Sequence, residues 1–251
     1  MINLELKGKN PVVGFGLTLG SLRSVEIASK TRFHFAMIDM LHSYFDRLSA
    51  TTALRILACS KGPAPFARVA GNDPGAINEL LDAGAVGIII PMVNSADEAE
   101  QAVQSAYYPP VGKRSKGSPA SIFYGKDYFD QINSYLKLIV MIETPEGVEK
   151  ADEIQSVPGI SGCLIGAGDL SFTMKCSKES PEFKKAIYKI IDVSPSNGPA
   201  IGISIVSSKE IEFWRKRGIS FFLASHDLTL LNNGIRAYDE EFSRYNNNNP
   251  K

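Results

Sequence analysis

The sequence predicts an α/β protein folded as a single-domain (β/α)8 barrel, also called a TIM barrel. Short apolar, β-branched runs alternate with longer segments of helical pattern, which is typical of a parallel sheet with crossover helices. Several runs are apolar on both faces, as expected of strands covered inside and outside. The chain of 251 residues also matches the usual barrel size of about 250 residues. An open doubly wound sheet is the alternative, because sequence cannot show closure.

Eight runs are predicted to be the strands of this barrel. They are Val12–Leu17, 34–39, 65–69, 86–91, 138–143, Gly162–Ile165, 200–204 and 221–224. In a parallel barrel all eight carboxyl ends lie at one rim, and catalytic residues sit at that rim.

Helix signals lie between the predicted strands, at 74–83, 95–106, Pro181–Asp192 and 208–217. The first of these follows Asp73, an N-cap residue, has proline in its first turn and ends at Gly84. Ser95 with Glu98 three residues later has the spacing of a capping box.

Bulk composition indicates a soluble intracellular protein, which we expect to be cytoplasmic. The 27 basic and 27 acidic residues balance, which argues against a nucleic-acid or anionic-membrane surface as partner. The three cysteines form no CxxC pair, which fits a reducing compartment. We find no secretory signal and no apolar stretch of membrane-spanning length.

Two segments depart from the strand–helix alternation. Residues 107–137 are rich in Gly, Pro, Ser and Tyr and form an inserted loop, which we interpret as a partly ordered lid or an oligomer contact. The tail from residue 243, which ends in asparagines, proline and lysine, is expected to be frayed.

Two carboxylates terminate or follow successive predicted strands: Glu143 ends the strand 138–143, and Asp169 follows CLIGAG. Carboxylates from adjacent strands can share one hard divalent cation, with waters and substrate oxygens completing an octahedron. Either residue could instead cap the next helix. Their occurrence on adjacent strands, near a candidate buried arginine, favours the metal site.

Arg68 ends the apolar strand that contains FARV. A buried arginine must meet a carboxylate or an oxyanion, and a structural ion pair is the alternative to substrate binding. Asp39 and His42 lie three residues apart just past the second strand. If the chain turns there, the carboxylate can orient the imidazole for proton transfer.

The segment Gly166-Ala167-Gly168-Asp169 is a candidate substrate-binding turn. Small residues between a strand and a helix let backbone N–H groups approach an anionic ligand. No GxGxxG dinucleotide fingerprint is present.

The chain resembles the HpcH/HpaI aldolase family, metal-dependent class II pyruvate aldolases of the phosphoenolpyruvate/pyruvate barrel superfamily. The resemblance runs from about residue 11 to about residue 240. It rests on FHFAMIDMLHS, ARVAGNDP, LLDAGAVGIIIPMVNSADEAE, YYPPVGKRSKG, VMIETPEGV, GCLIGAGDLSFTM and LASHDLTLL. These motifs in this order are specific for the family and less specific for the substrate.

The resemblance implies a role for each matching residue. Glu143 and Asp169 match the metal ligands, with Mg2+ as the expected cation and Mn2+, Co2+ or Zn2+ as alternatives. Arg68 matches the arginine that binds pyruvate and stabilises its enolate. His42, assisted by Asp39, matches the dyad that moves the proton.

Two further matches concern the substrate carboxylate and the neighbouring subunit. The 166–169 turn matches the segment whose backbone N–H groups hold the substrate carboxylate. Asp82 matches an acidic residue that reaches a neighbouring subunit's site, although on sequence alone it is a surface charge at a helix end. The family implies a homo-oligomer, commonly a hexamer, with the eighth helix packed between subunits.

The chain departs from the family pattern at three places. The family usually has Asp-x-Glu-His where this chain has Leu41 before His42. The turn usually carries Gly-Pro where this chain has Gly166-Ala167. Some relatives have Gln where Met141 stands. The change at Leu41 bears on the efficiency of proton transfer.

The predicted activity is that of a carbon–carbon lyase, an aldolase that cleaves or forms 4-hydroxy-2-keto acids through a pyruvate enolate. Its partner is a small 2-keto acid. An oxaloacetate decarboxylase, similar to macrophomate synthase, is the closest alternative, because decarboxylation needs no base for a hydroxyl proton. A metal-binding but catalytically silent barrel, acting as an assembly subunit, is an alternative of another class.

Overall fold

The computed structural model describes residues 4–248, which form one closed barrel of eight parallel strands. The strands are β1 Val12–Leu17, β2 Phe35–Asp39, β3 Ala64–Arg68, β4 Gly87–Ile90, β5 Lys137–Ile142, β6 Gly162–Ile165, β7 Ala200–Ile205 and β8 Phe221–His226. Each strand pairs with the next in sequence, and β8 pairs with β1. The (β/α)8 prediction is confirmed, and the open sheet is excluded.

Helices surround this barrel. They are α1 Leu22–Ala28, α2 Arg47–Ala58, α3 Pro74–Asp82, α4 Ala96–Ala106, α5 Ser121–Tyr124, α6 Tyr128–Tyr135, α7 Pro145–Glu149, α8 Ala151–Gln155, α9 Ala167–Thr173, α10 Pro181–Asp192, α11 Lys209–Arg215 and α12 Asp227–Asn248. The side chains of Asp73, Ser95 and Ser180 cap α3, α4 and α10, each accepting from the backbone N–H three residues on. Ser208 precedes α11 without such a bond.

Aromatic side chains fill the barrel interior. Phe35, Phe66 and Phe221 are almost fully buried there, and the rings of Phe35 and Phe66 stack with centroids 4.6 Å apart. Each ring lies over a glycine of a neighbouring strand: Phe35 over Gly14, Phe66 over Gly87 and Phe221 over Gly202. A filled interior leaves no passage along the axis, so ligands can approach the strands only at their ends.

The segment 107–137 does not form a lid over the carboxyl ends of the strands. It connects α4 to β5, and a helix-to-strand connection lies at the amino ends of the strands. It contains α5 and α6, and it packs against the barrel through buried Tyr108 and Tyr128. These two aromatic side chains anchor the segment to the rest of the fold. The suggested oligomer contact stays a prediction.

The carboxyl-terminal helix α12 continues through residue 248 instead of fraying from residue 243. Residues 249–251 of the predicted frayed tail lie outside the described residues. Along α12 large apolar side chains are exposed, among them Leu230, Ile235 and Phe242. Within residues 4–248, every helix is too short or too polar to cross a lipid bilayer.

Substitution of Gly14 tests the interior packing. A Cβ at Gly14 would lie 2.1 Å from the Phe35 ring, so Gly14→Ala should lower the free energy of unfolding by about 2 kcal/mol or more through overpacking. Urea denaturation measures this change. Gly8→Ala is the matched control, because nothing lies within 4 Å of a Cβ at Gly8. Equal stability of both variants would contradict this packing.

Candidate active site

Partly buried Arg68 and buried Asp39 form a bidentate ion pair at the carboxyl ends of β3 and β2. Arg68 Nε donates to Asp39 Oδ1 at 2.8 Å, and Arg68 Nη2 donates to Oδ2 at 2.7 Å. The two residues are direct partners in the β2–β3 register. Burial alone would raise the pKa of Asp39, but the hydrogen bonds and charge of Arg68 and the Leu41 N–H lower it below 3.8. Asp39 is therefore ionised at neutral pH.

Glu143 directly follows β5, and its carboxylate is 1% exposed. The Met92 backbone N–H donates to Oε1 at 2.8 Å. Oε2 is buried and has no hydrogen-bond partner among the described residues. A buried carboxylate oxygen without a partner is costly. Burial raises the pKa of Glu143 above 4.5, and nearby Asp169 raises it further, while the Met92 N–H and Arg68 pull the other way.

Gly166 makes room for the Glu143 carboxylate. A Cβ at Gly166 would lie 2.3 Å from Glu143 Oε2, so only glycine fits between this carboxylate and the end of β6. Asp169 follows in the first turn of α9 and is exposed. The predicted metal pair is therefore one buried and one exposed carboxylate, close enough for Asp169 to raise the pKa of Glu143.

The 166–169 turn offers fewer free N–H groups than expected. The Gly166 N–H donates to the Ile142 carbonyl at 3.1 Å, so it is engaged in the sheet and cannot hold a substrate. Gly166 contributes by having no side chain, which corrects its predicted role as an N–H donor. The N–H groups of Ala167, Gly168 and Asp169 lie in the first turn of α9, where helical N–H groups lack intrahelical acceptors.

The predicted Asp39–His42 dyad is not formed in this structure. The carboxylate of Asp39 is engaged by Arg68 and by the Leu41 N–H at 3.0 Å. The His42 side chain is exposed, and its imidazole has no hydrogen-bond partner among residues 4–248. The physical reason is that the bidentate arginine outcompetes an imidazole for the one buried carboxylate.

Asp82 lies apart from the other predicted site residues. It ends α3, at the opposite end of the barrel, and binds the Nη2 group of Arg114 at 2.6 Å. The Arg114 guanidinium also covers the Tyr108 ring, 4.6 Å from its centroid. Within a single chain this acid anchors the segment 107–137 and cannot reach Glu143, so any catalytic role would require a neighbouring copy.

Met92 is a site residue that sequence reasoning missed. Its φ of 57° is left-handed, a conformation that costs a residue with a side chain about 1 kcal/mol or more. That conformation accompanies the hydrogen bond from its backbone N–H to Glu143. Because every residue type except proline has a backbone N–H, the identity of Met92 gives no sign that it donates to Glu143. The only sequence signal near Met92 is the end of the strand that precedes it.

Comparisons with known proteins identify the family of this chain. Residues 17–233 match the family described as HpcH/HpaI aldolase/citrate lyase. The 4-hydroxy-2-oxo-heptane-1,7-dioate aldolase of Salmonella dublin is 34% identical over 248 residues, covering 96% of this chain and 94% of that protein.

Two solved structures give the same picture of the fold. An HpcH/HpaI aldolase/citrate lyase family protein from Burkholderia cenocepacia superposes with a TM-score of 0.87 and 26% identity, over 95% of this chain and 97% of that one. Macrophomate synthase superposes with a TM-score of 0.81 and 24% identity, over 94% of this chain and 86% of that one.

The raised pKa of Glu143 predicts a pH-dependent stability. Above the ordinary value of 4.5 the folded chain keeps a proton that the unfolded chain releases, so the contribution of Glu143 to stability falls as pH rises. The variant Glu143→Gln lacks this pH-dependent loss of stability. In urea denaturation with a chelator present, its free energy of unfolding should therefore increase relative to that of the wild type as the pH rises above 4.5. A pH-independent difference between the two proteins would contradict the assignment.

Proposed function

Because the chain belongs to the HpcH/HpaI aldolase/citrate lyase family, we propose that its carbon–carbon lyase activity acts on 4-hydroxy-2-keto acids through a pyruvate enolate. Family membership makes the chain a carbon–carbon lyase of the aldolase type. The observation that carries the proposal is the buried oxygen Glu143 Oε2, which has no hydrogen-bond partner among residues 4–248. Asp169 and Arg68 are close enough to change the pKa of Glu143.

The residues present fit a divalent cation. Glu143 offers a buried oxygen that no described donor satisfies, and Asp169 offers an exposed one. Among residues 4–248, no group of three or more His, Cys, Asp and Glu side chains is arranged as ligands. Two carboxylates with water and substrate oxygens suit Mg2+ or Mn2+, and Co2+ or Zn2+ could substitute. When bound, such a cation supplies Lewis acidity that stabilises the developing enolate charge.

Arg68 is the proposed donor to the substrate. Two of its nitrogens are fixed by Asp39, and its Nη1 group makes no hydrogen bond within the described residues. The ion pair therefore holds a charged donor in one orientation without consuming it. A donor preorganised towards the place where enolate charge develops stabilises the transition state.

The N–H groups of Ala167, Gly168 and Asp169 are the proposed contacts for the substrate carboxylate. They start α9 at the same rim as Arg68. A 2-keto acid would thus be held at its carboxylate by backbone and at its keto oxygen by Arg68. Such two-point binding orients the carbon from which the proton leaves.

His42 is the proposed carrier of the proton of the 4-hydroxyl group. Its exposed position after β2 leaves the ring free to reach a substrate at the rim. Because Asp39 is engaged by Arg68, that carboxylate serves the imidazole indirectly, by keeping the β2–α2 turn in place through the Leu41 N–H. Asp82 would act only across a subunit interface.

Oxaloacetate decarboxylation is the second candidate. The observation that favours it is the absence of a hydrogen bond between Asp39 and the His42 ring. Loss of carbon dioxide produces the enolate directly, and no base is needed to remove a hydroxyl proton. The proposed site residues other than His42 therefore suffice for this reaction. The name macrophomate synthase belongs to a protein of the same fold.

We propose a homo-oligomer, with a hexamer as the family precedent, in the cytoplasm. The exposed apolar side chains along α12 support the homo-oligomer, because a monomeric protein rarely exposes a row of large apolar side chains to water.

Glu143→Gln tests the lyase proposal. With pyruvate and Mg2+, the wild type should exchange methyl protons for deuterium, and the variant should exchange at least about 100-fold more slowly, because the enolate charge is no longer stabilised. Proton NMR follows the methyl signal. Glu146→Gln is the matched control, since Glu146 is exposed and, among residues 4–248, pairs only with Lys150. Equal exchange in the wild type and Glu143→Gln would refute the assignment, and no exchange in the wild type would favour the silent barrel.

A product assay separates the two candidate activities. With a 4-hydroxy-2-keto acid, an aldolase releases pyruvate and an aldehyde, while with oxaloacetate a decarboxylase releases pyruvate and carbon dioxide. We expect kcat/KM for the hydroxy-keto acid to exceed that for oxaloacetate by about tenfold or more, a difference of about 1.4 kcal/mol in barrier. The reverse order would support the decarboxylase, and His42→Ala should then leave that activity unchanged.

A further inference from the structure

Two turns of the chain meet at the carboxyl ends of β4 and β5. Residues 91–99, PMVNSADEA, follow β4, and residues 144–149, TPEGVE, begin two residues after β5. Because β4 and β5 are paired strands, these turns are neighbours at the rim. A Cβ at Gly147 would lie 3.0 Å from the Val93 carbonyl oxygen and 3.3 Å from Asn94 Oδ1. The two turns are therefore in direct contact.

The side chain of Asn94 bridges the two turns. Its Nδ2 group donates to the Met92 carbonyl at 2.9 Å, and the Thr144 hydroxyl donates to its Oδ1. The Thr144 hydroxyl also accepts from the Gly147 N–H at 3.0 Å, so its own proton is available for Asn94. Because a carbonyl oxygen can only accept, the Met92 carbonyl requires the amide nitrogen on its side. The orientation of the Asn94 amide is thus fixed by its partners.

The backbone of Asn94 is fixed as well. Its N–H donates to Glu98 Oε2 at 2.6 Å, and the Glu98 N–H donates to the Ser95 hydroxyl at 3.2 Å, which ties the residue to the first turn of α4. The preceding Val93 N–H donates to the Met141 carbonyl of β5 at 3.1 Å. The Asn94 amide therefore reaches the Met92 carbonyl from an anchored position.

The residue that Asn94 holds is the strained one. Met92 is left-handed, with a φ of 57°, and its side chain is about half exposed and supplies little packing to offset the strain. Backbone strain of this kind persists where the surroundings impose it. Two hydrogen bonds act on Met92 from opposite sides, because its N–H donates to Glu143 Oε1 at 2.8 Å and its carbonyl accepts from Asn94.

We propose that Asn94 is a positioning residue for the cation site. It keeps Met92 left-handed, so that the Met92 N–H holds Oε1 of Glu143 and leaves Oε2 for the cation. This inference rests on the proposed cation site and names the residue that orients its buried ligand. Asn94 acts through Met92 and contacts neither the cation nor the substrate. Residues that orient metal ligands in this way contribute about 10- to 100-fold to metal affinity.

Asn94→Ala tests the inference through Mn2+ affinity. The variant should bind Mn2+ at least about tenfold more weakly than the wild type, because Met92 can relax and release Glu143. Electron paramagnetic resonance measures free Mn2+ during the titration, without substrate. Asn78→Ala is the matched control, since the Asn78 amide also donates to a backbone carbonyl, that of Pro74 at 2.7 Å, but on α3. It should bind Mn2+ like the wild type.

Two variants of Thr144 show whether the bridge itself matters. Thr144→Ser keeps the hydroxyl and should bind Mn2+ within about twofold of the wild type. Thr144→Val keeps the shape, removes the hydrogen bond to Asn94 and should weaken Mn2+ binding about as much as Asn94→Ala. Equal weakening in Thr144→Ser and Thr144→Val would contradict the inference, because the hydroxyl would then not be the cause.

Amide hydrogen exchange measures the position of Met92 directly and needs no metal. With a chelator present, mass spectrometry of the peptide that contains Met92 should show a slowly exchanging N–H in the wild type and in Asn78→Ala. In Asn94→Ala and Thr144→Val that N–H should exchange about tenfold faster, because its bond to Glu143 opens more often. A loss of the α7 cap alone would leave the Met92 N–H protected, and protection in both variants would overturn the inference.

The outcomes separate this inference from the proposed cation site. If the wild type binds Mn2+ and neither Asn94→Ala nor Thr144→Val binds it more weakly, the role of Asn94 is refuted while the cation site stands. If the wild type binds no Mn2+, the cation site is refuted and the inference with it. Should thermal unfolding show that Asn94→Ala does not fold, the comparison of Thr144→Ser with Thr144→Val decides.

Discussion

The site depends on the burial of one carboxylate, Glu143, whose Oε2 has no hydrogen-bond donor among the described residues. Burial disfavours the ionised form of Glu143, and the neighbouring Asp169 disfavours it further. A folded protein retains such a group where something outside the chain compensates it, or where a reaction needs it. The proposed divalent cation would compensate both carboxylates at once. The cost of burying the ionised Glu143 carboxylate thus supports the proposed metal site. Through that site it also supports the proposed enolate and the lyase activity.

The barrel makes this burial possible by steric means. Aromatic rings packed over glycines close the interior below, which forces the polar groups to the rim. Gly166 leaves space for the Glu143 carboxylate, and the left-handed Met92 presents an N–H to it. Asp39 fixes Arg68 with two hydrogen bonds. Backbone conformation and missing side chains therefore shape the site as much as the acidic and basic residues do.

Much of the fold could be predicted because hydrophobic patterns and helix caps are local. The rim positions of Asp39, Arg68 and Glu143 followed from strand ends. What could not be predicted depends on non-local geometry. The pairing of Asp39 with Arg68 instead of His42 is a competition between distant partners. The composition of the segment 107–137 does not reveal at which end of the barrel it lies. The prediction of a lid is therefore wrong, while the alternative of an oligomer contact stays a prediction.

Manganese binding tests the central claim most directly. Electron paramagnetic resonance measures free Mn2+ during titration of the protein, with no substrate and no turnover. The account predicts that the wild type and Glu146→Gln bind one Mn2+ per chain with equal affinity, and that Glu143→Gln binds it at least about tenfold more weakly, because a charged ligand is lost. Equal Mn2+ affinity in the wild type and Glu143→Gln would contradict the account.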